Sequence, residues 1–257
     1  MNKRVLLTGS DGMVGSNLLP KLEQAGYEVI PFGDDKDVRN WADWCDLHAD
    51  DTPINYIIHL AALAGVRPSF EAPMEYEDVN VGGMRNMLEF AALDGCKVLY
   101  ASSSNAYEWW GNPYAATKKM NEIQAEAYLN GAIGMRFHTI WPGRDDMLFK
   151  KLERNDVTHI NRSHYRDFVH VDDVCDAILI LLSNFDYAEM NHKVYDIGTG
   201  HATPVEEVAR KYGFTGEYRD ANPQGERVHT KANIEPLLAL GYTPKRNILN
   251  HEDSNTK

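Results

Sequence analysis

Three cysteines in 257 residues, Cys45, Cys96 and Cys175, are too few and too scattered to frame a disulfide-stapled scaffold, and none stands in a C-x-x-C pair. That argues against a zinc ribbon and for a reducing compartment. Long apolar runs are missing as well: none approaches the roughly 20 residues that a membrane-spanning helix needs. Met1-Asn2-Lys3-Arg4 leads directly into a strand-like run rather than a secretory leader. A cytoplasmic protein with no membrane association is expected. Basic residues are scarce beside acidic ones, 26 Lys and Arg against 38 Asp and Glu, for a formal charge of −12. Binding a phosphate backbone takes clustered Lys and Arg, so no nucleic-acid partner is expected; a small anionic ligand, which a few local donors hold, is compatible with this charge. The ten histidines form no H-x-x-H or H-E-x-x-H spacing, and no metal is expected.

What is present is an ordinary globular mixture, 43% apolar and 25% charged, long enough for one large α/β domain with or without a small appendage. Strand and helix signals alternate. Val5-Leu6-Leu7 is followed by an amphipathic stretch with Val14, Leu18, Leu19 and Leu22 on one face. Pro20 is expected to bend that helix and Gly26 to cap it. Strands are expected at Tyr27–Ile30, Tyr56–Leu60, Lys97–Ser102, Ile133–Phe137 and Lys193–Ile197. Helices are expected around 41–47, 74–93, 114–129, within 166–180, and at 204–212. The tail from Lys245 is polar and expected to fray. Such alternation predicts a Rossmann-type, doubly wound parallel sheet. Residues 1–140 are expected to form the dinucleotide-binding core, with contributions from 166–200, and residues 141–257 a mainly substrate-binding part.

Thr8-Gly9-Ser10-Asp11-Gly12-Met13-Val14-Gly15 spaces its glycines by three and three between a strand and a helix. Glycine lets the backbone approach a pyrophosphate, and the helix N-terminus presents unpaired N–H groups. Further along, Tyr114 and Lys118 lie four apart and share a helix face, so the ammonium is expected to lower the phenol's pKa toward use as a base. His59, in an apolar strand, reads as a hydrogen-bonded core residue.

The glycine pattern T-G-x-x-G-x-x-G resembles the fingerprint of the extended short-chain dehydrogenases/reductases, the NAD-dependent epimerase/dehydratase family. The resemblance implies a bound NAD touched by Gly9, Asp11, Gly12, Met13, Val14 and Gly15. The family's ribose-binding acidic residue corresponds here to Gly33, followed by Asp34 and Asp35; a carboxylate there, Asp34 being the candidate, would repel a 2′-phosphate. Asp37-Val38-Arg39-Asn40 resembles the segment lying against adenine, so Asp37 and Val38 are candidate contacts. Ile58-His59-Leu60-Ala61-Ala62 resembles the strand and turn beneath the cofactor, with Leu60, Ala61 and Ala62 as contacts. Asn80 matches the family's helix asparagine. Ala101 to Tyr107, followed by Tyr114-Ala115-Ala116-Thr117-Lys118, matches the serine strand and Y-x-x-x-K helix. Ser103, Tyr114 and Lys118 are therefore the candidate catalytic residues, Tyr114 and Lys118 also touching the cofactor.

Within this family the chain is most similar to the UDP-glucuronate 4-epimerases. Ala64-Gly65-Val66-Arg67-Pro68-Ser69 resembles A-G-V-R-x-S, Met135 to Ile140 resembles L-R-F-F-T-V, and Gly143 to Met147 resembles G-R-P-D-M. Arg166-Asp167-Phe168 with Asp172-Asp173 resembles R-D-F-x-x-x-D-D, and Gln224-Gly225-Glu226 a nucleotide-side loop. The resemblance implies substrate contacts from Arg67, Ser103, Ser104, Asn105, Thr139, Arg144, Arg166 and Gln224. Arg166 would meet the diphosphate and Arg144 a C6 carboxylate. It also implies C4 epimerisation of UDP-glucuronate through a transient 4-keto sugar. The alternatives are a nucleotide-sugar dehydratase or decarboxylase, a keto-sugar reductase, and a non-catalytic dinucleotide-sensing protein. Dehydratases place Asp-Glu where Ser104-Asn105 stands here, and neither of these is a good acid.

Three departures stand out. Only six residues separate Tyr107 from Tyr114, the segment around Trp141-Pro142 is short, and the relatives' closing C-terminal helix is not expected within these residues. Trp109 and Trp110 either wall a changed pocket or pack elsewhere. A homodimer is implied through helices near 80–93 and 114–129, the apolar stripe Met84, Met87, Leu88 and Ala91 offering support.

Overall fold

The computed structural model describes residues 3–48, 52–128, 130–145, 147–221 and 223–250. Six strands form one parallel sheet in the order Val194–Ile197, Ala132–Phe137, Lys97–Ser103, Tyr56–His59, Arg4–Thr8, Glu28–Phe32. Because side chains alternate along a strand, each strand feeds two cores. Val5, Leu7, Ile58 and Leu99 join one with helices Met13–Gln24 and Val171–Ser183. Leu6, Ile57, Val98 and Tyr100 join the other, beneath helices Trp41–Cys45 and Gly83–Asp94. Full burial of each such Leu or Ile contributes about 1.5–3 kcal/mol, which is why the central strands read as nearly continuous apolar runs. The doubly wound α/β fold is as the sequence predicts.

The chain crosses from one half of the sheet to the other between Arg4–Thr8 and Tyr56–His59, and such a switch point opens a crevice at the carboxyl ends of the strands. The glycine loop begins there. Helix Met13–Gln24 runs through Pro20 without ending, and Gly26, at φ +87°, follows its end as expected. The helix expected over 74–93 is interrupted. Pro73–Tyr76 passes into a π-helical turn, Glu77–Gly82, before Gly83–Asp94, and Asn80 sits on the π turn.

A smaller core beyond the sheet gathers Trp141, Phe149, Leu152, Ile160, Phe168, Val205, Val208, Phe214 and Ile248. Three short strand pairs frame it: Thr139–Trp141 with Phe168–His170, His159–Asn161 with Glu217–Arg219, and Tyr165–Arg166 with Thr203–Pro204.

Two expectations are corrected. The tail is not frayed from Lys245: the N–H groups of Lys245 and Arg246 both donate to Asp173 Oδ2, and Ile248 is buried. Residues 251–257 lie outside the described residues, as does Leu129 at the end of the expected helix 114–129, described as Pro113–Glu126. The stripe proposed for a dimer faces inward, Met84, Met87 and Ala91 being fully buried. A stripe at helical spacing serves a core as readily as a partner. Among the described residues no helix is long and apolar enough to cross a membrane, and no group of His, Cys, Asp or Glu is placed to hold a metal ion.

Candidate active site

A cleft of about 940 Å³ opens at the carboxyl ends of the strands. Its wall brings together Gly9, Gly12, Met13, Val14 and Gly15 with Leu60, Ala62, Arg67, Ser103, Ser104, Asn105, Tyr114, Lys118, Thr139, Arg144 and Arg166. The first of these form a cradle that larger residues would fill. Gly9 sits at φ +67°, where a Cβ would lie 2.8 Å from the backbone N of Ala61, and a Cβ at Gly15 would lie 2.1 Å from the carbonyl oxygen of Gly9. Gly12 caps helix Met13–Gln24 without a side-chain hydrogen bond, so the first-turn N–H groups are left for a ligand. The turn fits the pyrophosphate of NAD.

Helix Pro113–Glu126 begins sharply because Pro113 stands at its first position and Asn112 Oδ1 accepts from Ala115 N at 2.7 Å. That places Tyr114 in the first turn and Lys118 one turn on. Burial raises the Tyr114 phenol above its ordinary value, and the neighbouring Ser103 hydroxyl and the charge of Arg144 pull it back. The charge acting on the phenol is that of Arg144 rather than the expected Lys118. The buried Lys118 ammonium donates to the carbonyl oxygen of Ala101 at 3.0 Å, and burial alone lowers its pKa to about 7. Asn105 donates to Ser103 Oγ from both its backbone N and its Nδ2, at 3.2 and 3.3 Å, fixing the serine beside the tyrosine.

Several expected contacts lie off the cleft wall. Asp11 turns to the second strand's end, where its Oδ2 accepts from Asp34 N at 2.8 Å. A Cβ at Gly33 would come 2.1 Å from that oxygen, so the Asp11 carboxylate occupies the space that a larger residue at 33 would need. Asp37 pairs with Arg39, and Val38 packs beneath Gly83. Ala61 N donates to Thr8 Oγ1. Asn80 is consumed by the scaffold: its Oδ1 accepts from Leu63 N, and its Nδ2 donates to Leu63 O and Thr117 Oγ1, clamping the loop after Tyr56–His59 to helix Pro113–Glu126. Gln224 is exposed and off the wall, and Arg67, on the wall, is paired with Glu226 at 2.9 Å. Trp109 and Trp110 meet edge to face on the surface rather than walling the cleft. His59 is the hydrogen-bonded core residue expected, its Nδ1 2.8 Å from Thr8 Oγ1, and burial lowers its pKa to about 3.

Sequence reasoning missed two groups. Arg227 lines the cleft, three residues past Gln224. Glu122, almost fully buried on helix Pro113–Glu126, accepts from Ser102 Oγ and from two nitrogens of Arg136, each at 2.7 Å. The carboxylate joins the helix of Tyr114 to the strand of Ser103. The Arg136 and Ser102 hydrogen bonds outweigh burial and hold its pKa below the usual range. This contribution is therefore present above the ordinary glutamate pKa and is lost as pH falls through the folded value. Glu122→Gln is expected to destabilise the protein by about 3–5 kcal/mol at pH 7, since it strands Arg136. Urea melts at neutral pH check this, and a loss below about 1 kcal/mol would show that the network contributes no more than a surface pair.

A model of the NAD dependent epimerase/dehydratase family matches residues 5–198. An uncharacterized protein of Methanocaldococcus jannaschii is 32% identical over 308 residues, covering 95% of this chain and 92% of the relative. UDP-glucuronate 4-epimerase 1 of Arabidopsis thaliana is 28% identical over 283 residues, covering 91% of this chain and 61% of the relative. Among solved structures, MoeE5 in complex with UDP-glucuronic acid and NAD matches with a TM-score of 0.80 at 27% identity, over 96% of this chain and 95% of that one. With the glycine cradle and the Ser103, Tyr114 and Lys118 constellation in one cleft, the chain belongs to the NAD-dependent epimerase/dehydratase family and uses NAD as its cofactor.

Proposed function

We propose that this enzyme epimerises C4 of a UDP-hexuronate, interconverting UDP-glucuronate and UDP-galacturonate. The observation that carries this reading is the placement of Tyr114, Ser103 and Arg144 on one wall, close enough for the Arg144 charge to act on the phenol. A buried sugar carboxylate needs donors and a positive charge, and Arg144 with the Ser103 and Ser104 hydroxyls supplies both. The structural likeness to MoeE5, whose complex contains UDP-glucuronic acid, supports the same substrate class.

NAD, held against the Gly9 to Gly15 turn and Lys118, would supply reversible hydride exchange with the sugar carbon. The chain's own groups do the rest. Tyr114 receives the C4 hydroxyl proton and gives it back, Ser103 orients that hydroxyl, and Lys118 offers its remaining donors to the nicotinamide ribose. Arg166 meets the diphosphate. Asp34, just past the second strand, and Asp11, which reaches it from the glycine loop, serve the adenosine ribose.

Arg144→Ala is expected to lower kcat/KM for UDP-glucuronate by roughly 10- to 100-fold more than for neutral UDP-glucose, the range of a charge-assisted hydrogen bond. Coupled assays on both sugars decide it. Equal losses, or a wild type that prefers the neutral sugar, would end the uronate assignment. A homodimer through helices Gly83–Asp94 and Pro113–Glu126 belongs to the same proposal, now supported by the outward Met120 and Ile123 rather than the buried stripe. Light scattering at micromolar concentration is expected to give twice the chain mass, and a monomer would reject it.

A further inference from the structure

Arg227 reaches the cleft from the segment after Gln224, which is pressed against the short turn that precedes the catalytic helix. Gly225 stands at φ +75°, where a Cβ would lie 2.8 Å from the carbonyl oxygen of Gly111, and Asn112 Nδ2 donates to the carbonyl oxygen of Gly225 at 2.9 Å. From there Arg227 Nη1 donates to the carbonyl oxygen of Ser104 at 2.8 Å and Nε to Glu108 Oε1 at 3.0 Å. Its guanidinium carbon lies 5.6 Å from the ring centre of Tyr107, whose hydroxyl donates to Asp196. Nη2 has no hydrogen-bond partner among the described residues. The side chain is only 15% exposed and lines the cleft with Arg166, whose guanidinium feels its charge. The nearby carboxylate Glu226 is already tied to Arg67. Two guanidiniums therefore line the same cleft, one of them with donors to spare. A planar guanidinium of this kind can grip a phosphate on one edge while its other nitrogens hold the protein.

We propose that Arg227 is a positioning residue that ties occupancy of the cleft by the substrate's diphosphate to the placement of Ser103-Ser104-Asn105, an inference resting on the nucleotide-sugar reading above. Phosphate oxygens on Nη2 draw the guanidinium tight, and its Nη1 and Nε then fix Ser104 and Glu108. The shortened turn is thus held in its working position by the substrate itself.

Trp109 and Trp110 follow Glu108 in the same turn and report on it. Titrating the protein with UDP is expected to change tryptophan emission, and Trp109→Phe with Trp110→Phe should abolish the change while calorimetry shows UDP still binding. Arg227→Lys keeps the charge but not the fork. It should hold UDP affinity within about tenfold, lose the emission change, and lower kcat on the order of 10- to 100-fold with a smaller change in KM. Arg227→Met should lose the emission change and weaken UDP binding as well. Either variant with the wild-type emission response, or a wild type that binds UDP silently, would overturn the proposal. Inorganic pyrophosphate separates it from the substrate assignment. A response to pyrophosphate and UDP without turnover of UDP-glucuronate retires the substrate and keeps Arg227, whereas binding of neither ligand retires both.

Discussion

Tyr114→Phe is expected to lower turnover by roughly 10²- to 10⁴-fold, the usual contribution of one positioned proton-transfer group, while NAD remains bound. The substitution removes a single oxygen. The ring keeps its edge-to-face contact with Tyr76 at 6.2 Å, and the Asn112 cap that starts the helix is untouched. What is lost is the hydroxyl that lies beside Ser103 and that Arg144 stabilises in its charged form. Stopped assays on the purified variant, with the cofactor measured after denaturation, separate chemistry from binding. Near-normal turnover would remove Tyr114 from the mechanism. Normal chemistry with lost cofactor would make it a binding residue only.

Lys118→Met has the second large effect, in two opposite directions. Its ammonium is buried and meets the carbonyl oxygen of Ala101, so it has donors left for a ribose hydroxyl. Losing charge-assisted bonds of about 1.5–3 kcal/mol should weaken NAD binding by roughly 10- to 100-fold and reduce activity with it. Stability moves the other way once cofactor is stripped. The folded pKa of about 7 lies below the ordinary lysine value of 10.5, so between these values the unfolded chain binds a proton that the folded chain does not. This group's contribution therefore rises with pH across that window, and below pH 7 the whole cost of burying the ammonium is paid. Stripped Lys118→Met protein should melt higher than stripped wild type at pH 6.5, with the gap closing toward pH 10.5. A variant that melts lower at pH 6.5 would mean that the hydrogen bond to Ala101 outweighs the burial cost.

The features of the sequence that were legible are those with a long period or a forced backbone. Strands such as Val5-Leu6-Leu7 and Tyr56-Ile57-Ile58 announce themselves because both faces are buried, and Gly9, Gly12 and Gly15 because nothing larger fits. The spacing of Tyr114 and Lys118 places them on one helix face wherever that helix lies. The strand pairs at 139–141, 159–161 and 165–166 were not legible, since two or three residues carry no periodicity. The direction of the Met84, Met87 and Ala91 stripe was not legible either, because helical spacing tells which residues share a face and not what covers them. The setting of Asp11 was not legible for a different reason. A contact between the glycine loop and Gly33 spans two strands, and only their pairing shows that the Asp11 carboxylate fills the space beside the glycine. Arg227 had no pattern to betray it. Its role depends on a close approach of Gly225 to Gly111 across more than a hundred residues of chain.

Epimerisation at C4 is decided by incubating the purified protein with UDP-glucuronate, with no cofactor added, and following the sugar anomeric protons by NMR. UDP-galacturonate should grow to a steady mixture, the same mixture should form from the galacturonate side, and no reduced cofactor should accumulate. A dehydrated or decarboxylated product, a demand for stoichiometric NADPH, or no conversion from either side would contradict it.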